Sequence, residues 1–83
     1  MNTDDYEILG RVYNNIGEIC NKAEDYELAY DMFGNAANNF LSAEDTTRYE
    51  NVLLLQSYML TNLDEHARAL EMLQDISTSS TTA

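Results

Sequence analysis

Residues Tyr13 to Phe40, YNNIGEICNKAEDYELAYDMFGNAANNF, decide how the rest of the chain is read. Apolar and small residues recur there at spacings of three and four on both sides of a polar break at Lys22 to Asp25. Before the break stand Tyr13, Ile16, Gly17, Ile19 and Cys20. After it stand Tyr26, Leu28, Ala29, Met32, Phe33, Ala36, Ala37, Phe40 and Leu41. About 3.6 residues complete a helical turn, so each set forms a stripe along one face of an α-helix. Two such stripes joined by a short break predict an antiparallel helical hairpin.

Outward from this stretch the pattern continues. Ile8, Leu9 and Val12 extend the first stripe, giving a helix over 5–22. Thr3 or Asp4 can cap it, and Asp5 and Glu7 suit the positive end of its dipole. The second helix is predicted over 25–41, capped by Glu24 or Asp25. Gly34 inside it costs about 1 kcal/mol relative to alanine, which points to a neighbouring backbone coming close. Ser42 or Asp45 can cap a third helix over 45–62. Its segment VLLLQSYML, Val52 to Leu60, is apolar on more than one face, as in a helix with neighbours on several sides. A fourth helix, 65–76, directs Ala69, Leu70, Met72, Leu73 and Ile76 inward. Ser77 to Ala83, STSSTTA, has nothing to bury and is expected to form a disordered tail, leaving 1–76 as one helical domain.

The chain also repeats itself. A shift of 40 residues carries Tyr13 onto Leu53, Gly17 onto Ser57, Ile19 onto Met59 and Cys20 onto Leu60. The same shift carries Tyr26 onto His66, Ala29 onto Ala69, Met32 onto Met72 and Phe33 onto Leu73. Large residues fall on large and small on small, with Ile16 on Gln56 the exception. Two helices per unit at this period mark a helical repeat array. Gly17 and Ala29 are expected where the two helices cross, with Tyr13, Ile16, Phe33 and Ala36 around them. Phe40 and Leu41 are expected to reach toward the second hairpin.

Tyr13, Ile16, Gly17, Cys20, Tyr26, Ala29, Phe33 and Ala36 fall at the spacings of a tetratricopeptide repeat (TPR), and the chain resembles that family over residues 8 to 76. The resemblance implies an all-α fold of two antiparallel helix hairpins stacked as a short right-handed array. It places about six residues beyond the usual repeat length near Ser42 to Glu50. It also implies a non-enzymatic scaffold or adaptor that binds a protein or peptide in a groove lined by the first helix of each hairpin. Carried across by spacing, that groove is Arg11, Asn14, Asn15, Glu18, Asn21 and Lys22 on the first helix, and Asn51, Leu54, Leu55, Tyr58 and Thr61 on the third. The basic and amide clamp with which some members grip chaperone tails is missing, because the third helix offers Leu54, Leu55 and Tyr58 instead. Two repeats are fewer than the three or so a solenoid needs, so the chain is expected to dimerise or to belong to a longer array.

Composition narrows the alternatives. Eighty-three residues make one small domain of limited burial. Fifteen acidic residues against four basic ones give a net charge of −11. That balance argues against binding nucleic acid or an anionic membrane surface. It leaves open a second function, an acidic inhibitor that imitates nucleic-acid charge on a basic protein. A third reading, an ordinary up-down bundle, would offer no concave face. The longest apolar run, Val52 to Leu55, is far short of the roughly 20 residues of a membrane span, and with no targeting signal the expected compartment is the cytoplasm.

One histidine (His66) and one cysteine (Cys20) cannot build a soft-ligand metal site, so no metal or cofactor is expected. Cys20 takes a position suited to an inert buried thiol. The acidic pairs Glu24–Asp25, Glu44–Asp45 and Asp64–Glu65 stand at helix starts, where capping and the helix dipole account for them without catalysis.

Overall fold

A computed structural model describes residues 2–81 of the chain. Four helices follow one another: α1 (Thr3–Lys22), α2 (Tyr26–Ser42), α3 (Thr46–Asn62) and α4 (His66–Thr81). Each packs on its neighbours in sequence, and α4 does not fold back against α1. The result is a slab of 37 × 34 × 13 Å, two stacked hairpins rather than a closed bundle.

The breaks are built alike. Glu24, Glu44 and Asp64 adopt the left-handed conformation, with φ of 63°, 62° and 62°. Around each, the preceding helix closes with the paired hydrogen bonds of a Schellman turn. Asp25 N–H donates to the Cys20 carbonyl and Glu24 N–H to that of Asn21; Asp45 and Glu44 donate likewise to Phe40 and Leu41, and Glu65 and Asp64 to Leu60 and Thr61. The residue after the left-handed one then opens the next helix. Asp25 accepts from Leu28 N–H at 3.3 Å, and Asp45 from Arg48 N–H at 3.1 Å. Of the cap candidates, the aspartates serve, while Glu24 makes the turn and Ser42 remains inside α2. At the chain start the cap is Asn2, whose Oδ1 accepts from Asp5 N–H at 3.0 Å, so α1 begins before Thr3 or Asp4 could cap it.

These turns recur every 20 residues. The 40-residue period therefore divides into equal helix-turn units, with no extra length lodged near Ser42 to Glu50. At the other end α4 continues through Ser77 to Thr81, a stretch expected as tail. No glycine or proline interrupts it, and each added residue closes one more backbone bond on a helix already nucleated. Thr82 and Ala83 lie outside the described residues.

Glycine and phenylalanine set the register of the first hairpin. The ring of Phe40 covers Gly10, and that of Phe33 covers Gly17; a Cβ added at either glycine would stand 2.7 Å and 2.6 Å from the ring. The pairs are seven residues apart on both helices, two turns each, so the helices run antiparallel in close approach. Phe33, Ala36 and Ala29 are fully buried and Phe40 nearly so. Burying each ring contributes on the order of 2–3 kcal/mol.

As expected, Gly17 stands where the two helices approach closely, with the ring of Phe33 lying on it. Two other expectations change here. Phe40 packs back on α1, and Leu41 is left exposed. The stripe Ile8, Leu9, Val12, Tyr13, Ile16, Ile19, Cys20 also divides. Tyr13 and Cys20 join the core with Gly10 and Gly17, while Ile8, Val12, Ile16 and Ile19 face outward.

The second junction is partly polar. Val52, Gln56 and Met59 of α3, one helical face, are buried toward α2. Gln56 Nε2 lies over Gly34, 2.9 Å from where a Cβ would be, and donates to the Tyr30 carbonyl at 3.0 Å. Gly34 thus makes room for a side-chain amide, not for a neighbouring backbone. On its other side α3 buries Ser57 and Leu60, consistent with a helix flanked by both α2 and α4.

Candidate functional site

α1 and α3 run in the same direction on either side of the α2 junctions, and one contact fixes how they face. Arg48, in the first turn of α3, donates from Nη1 to Glu7 Oε1 of α1 at 2.9 Å and to its own cap residue Asp45 Oδ2 at 2.8 Å. Arg11 Nη2 stands 3.5 Å from the same Glu7 oxygen. These side chains are well exposed, so the pairs add little stability; their information is geometric.

Residues three, four and seven apart share a helix face. Glu7 therefore brings Arg11, Asn14, Glu18 and Asn21 to the side of α1 that looks toward α3. Arg48 brings Asn51, Leu55, Tyr58 and Asn62 to the side of α3 that looks back. Among the groove candidates, Arg11, Asn14, Glu18, Asn21, Asn51, Leu55 and Tyr58 fall on these facing rows. Asn15 lies at the outer margin of α1, and Leu54 is turned away from the Arg48 side of α3. Lys22 and Thr61 end their helices exposed, and the Thr61 hydroxyl is spent on the Ser57 carbonyl at 3.1 Å.

The rows carry mixed chemistry. Tyr58 is 57% exposed and Leu55 half-buried against the core, giving an apolar side on α3. On α1 the Asn14 side-chain oxygen is buried and has no hydrogen-bond partner among the described residues. A buried acceptor left this way costs about 1–3 kcal/mol.

Sequence reading missed Glu7 and Arg48 as the tie between rows. A faint signal was present, since Asp45–Arg48 and Glu65–Arg68 repeat a carboxylate and an arginine three residues on, 20 residues apart. The second arginine behaves like the first. Arg68 Nη1 pairs with Glu65 Oε2 at 3.1 Å, and its guanidinium lies 5.6 Å from the ring centre of Tyr30 on α2, donating to Tyr30 Oη at 3.2 Å. Each arginine thus links its own helix start to the helix two positions earlier.

Elsewhere an open hollow of about 240 Å³ lies between α3 and α4, lined by Tyr49, Glu50, Leu53, Met72, Asp75 and Ile76. Cys20 is buried in the core, and His66 is exposed, 3.7 Å from Asp64. Among the described residues no group of three His, Cys, Asp or Glu side chains could hold a metal ion, and no helix is long and apolar enough to cross a membrane. Comparison with protein-family models, with curated proteins and with solved structures gives no match.

Proposed function

We propose that this chain is a non-enzymatic protein-interaction module of the TPR kind, which holds an extended peptide of a partner protein between the α1 row and the α3 row. The observation that carries this reading is the Glu7–Arg48 contact, which turns a row of α1 toward a row of α3 that carries exposed Asn51 and Tyr58. An extended peptide presents backbone N–H and carbonyl groups at regular intervals, which side-chain amides suit. Tyr58 and Leu55 supply apolar contact for alternate side chains across the groove. The family resemblance points to the same face.

The test is selection of binding peptides from a random displayed library, followed by amide chemical-shift mapping of the tightest one. Shifts concentrated on residues of the two rows support the reading, as does weakening of about tenfold or more by Asn14→Ala or Tyr58→Ala. Shifts concentrated on the acidic turns, with binding abolished by high salt, would support the charge-mimic alternative instead.

A further inference from the structure

The two ends of the array carry unpartnered faces, and the repeat shows what each is built to meet. α3 buries Val52, Gln56 and Met59 against α2. A shift of 40 residues puts Val12, Ile16 and Ile19 of α1 at those positions. These three, with Ile8 one turn earlier, are 47%, 38%, 66% and 60% exposed. The face by which α3 sits on the helix before it is thus present on α1, more apolar than the original, and bare.

At the other end, α2 receives α3 along Tyr30, Gly34 and Ala37, and the same shift lands on Leu70, Gln74 and Ser77 of α4. All three are exposed. Arg68 of α4 also reaches back across α3 to cover Tyr30. Its counterpart 40 residues earlier is Leu28, 43% exposed, and the counterpart of Tyr30 is Leu70, 56% exposed. The cation–aromatic pair inside the chain therefore corresponds to a leucine–leucine pair between the ends of two chains.

We propose that the outward face of α1 docks on the outward face of α4 of a second copy, head to tail, so that the helix-to-helix step of the array continues from copy to copy. The occupant is a second copy because the α1–α4 contact would continue the α2–α3 interface already present. The two halves stand at opposite ends of one molecule, with Ile16 in the place of Gln56 and Gln74 in that of Gly34. Such a contact is heterologous: it leaves a free head and a free tail and allows chains to grow. Each copy carries a charge of −11, so repulsion opposes the contact and added salt strengthens it.

Sedimentation equilibrium over a wide concentration range tests this. The wild-type mass rises from 9.4 kDa with concentration, and more steeply at high salt. Ile19→Glu blocks the head and Leu70→Glu the tail; each lowers the association constant at least about tenfold, while Asn38→Glu, a like charge on an exposed position of α2, does not. Ile8→Glu is the second head variant, and circular dichroism confirms that all of them fold. An equimolar mixture of Ile19→Glu and Leu70→Glu regains association but stops at two chains, since each variant supplies one intact face. A wild type that stays at 9.4 kDa at every concentration overturns the proposal. So does a mixture that fails to pair, or a variant at either end that associates like the wild type.

Discussion

Phe33 rests its ring on Gly17 with no space between them: a methyl group on that glycine would lie 2.6 Å from two of the ring carbons. The ring is fully buried and has nowhere to retreat. One helical residue chosen for emptiness thus sets the distance between α1 and α2, and Gly10 beneath Phe40 repeats the arrangement two turns away.

Gly17→Ala should therefore destabilise the fold although alanine is the better helix former. The propensity gain is about 1 kcal/mol, while forcing a methyl group into a close-packed core costs roughly 1–3 kcal/mol and here displaces a whole ring. A net loss of about 1–2 kcal/mol is expected in urea unfolding. An unchanged or raised midpoint would show that the hairpin can open by some tenths of an ångström at no cost.

Gly34→Ala should behave differently. Its added methyl group meets only the Nε2 end of Gln56, a flexible side chain that can swing away at the loss of its bond to the Tyr30 carbonyl. That bond contributes about 1 kcal/mol, close to what alanine returns through helix propensity. The variant is expected to match the wild type within about 0.5 kcal/mol. With Gln56→Ala already in place, Gly34→Ala should become clearly stabilising, which a double-mutant cycle reads directly.

The contrast between these glycines shows where sequence reading succeeds and where it stops. The four helices and their breaks were legible, because aspartates at Asp25 and Asp45 cap and apolar residues recur at helical spacing. The face that α1 buries was not. Ile8, Val12, Ile16 and Ile19 outrank Gly10 and Gly17 in hydrophobicity, yet the core needed the glycines, because two phenylalanines approach from α2. Hydropathy registers what prefers to leave water, not where a partner helix requires room. Which residues share a row of α1 or of α3 was legible from spacing, but the pairing of Glu7 with Arg48, which sets one row against the other, depends on a contact between residues 41 positions apart.

The turns offer a simple gain. Glu44 holds φ at 62°, a conformation that costs a residue with a side chain about 1 kcal/mol and glycine almost nothing. Its amide serves the Leu41 carbonyl, a bond that glycine keeps. Glu44→Gly should raise stability by about 0.5–1 kcal/mol, a few degrees in Tm for a chain of this size, whereas Glu44→Ala should not. A lowered Tm for the glycine variant would mean that the Glu44 carboxylate makes a contribution larger than the backbone strain.

Acid should act selectively through Asp45. The backbone N–H of Arg48, and then its guanidinium, hold this carboxyl below the usual carboxylate range. A group whose pKa is lower in the folded chain than in the unfolded one stabilises the fold fully above the unfolded value, about 3.9, and loses that contribution as pH falls through the folded value. Asp45→Asn keeps an oxygen for the Arg48 amide but has no charge to titrate. The wild type should therefore exceed Asp45→Asn in stability at pH 7, by no more than about 1 kcal/mol for so exposed a pair, and the gap should close below pH 4. Taking the difference between the two proteins matters, since protonating the remaining carboxylates also relieves the repulsion of a strongly acidic chain and shifts both curves together. Asp45→Ala, which removes the cap itself, should stay about 1 kcal/mol below Asp45→Asn even at the acid end. Urea unfolding of the three proteins across pH 7 to about 2.5 separates the cap from the charge. A gap between wild type and Asp45→Asn that persists below pH 3 would place the effect in the shape of the side chain rather than in its ionisation.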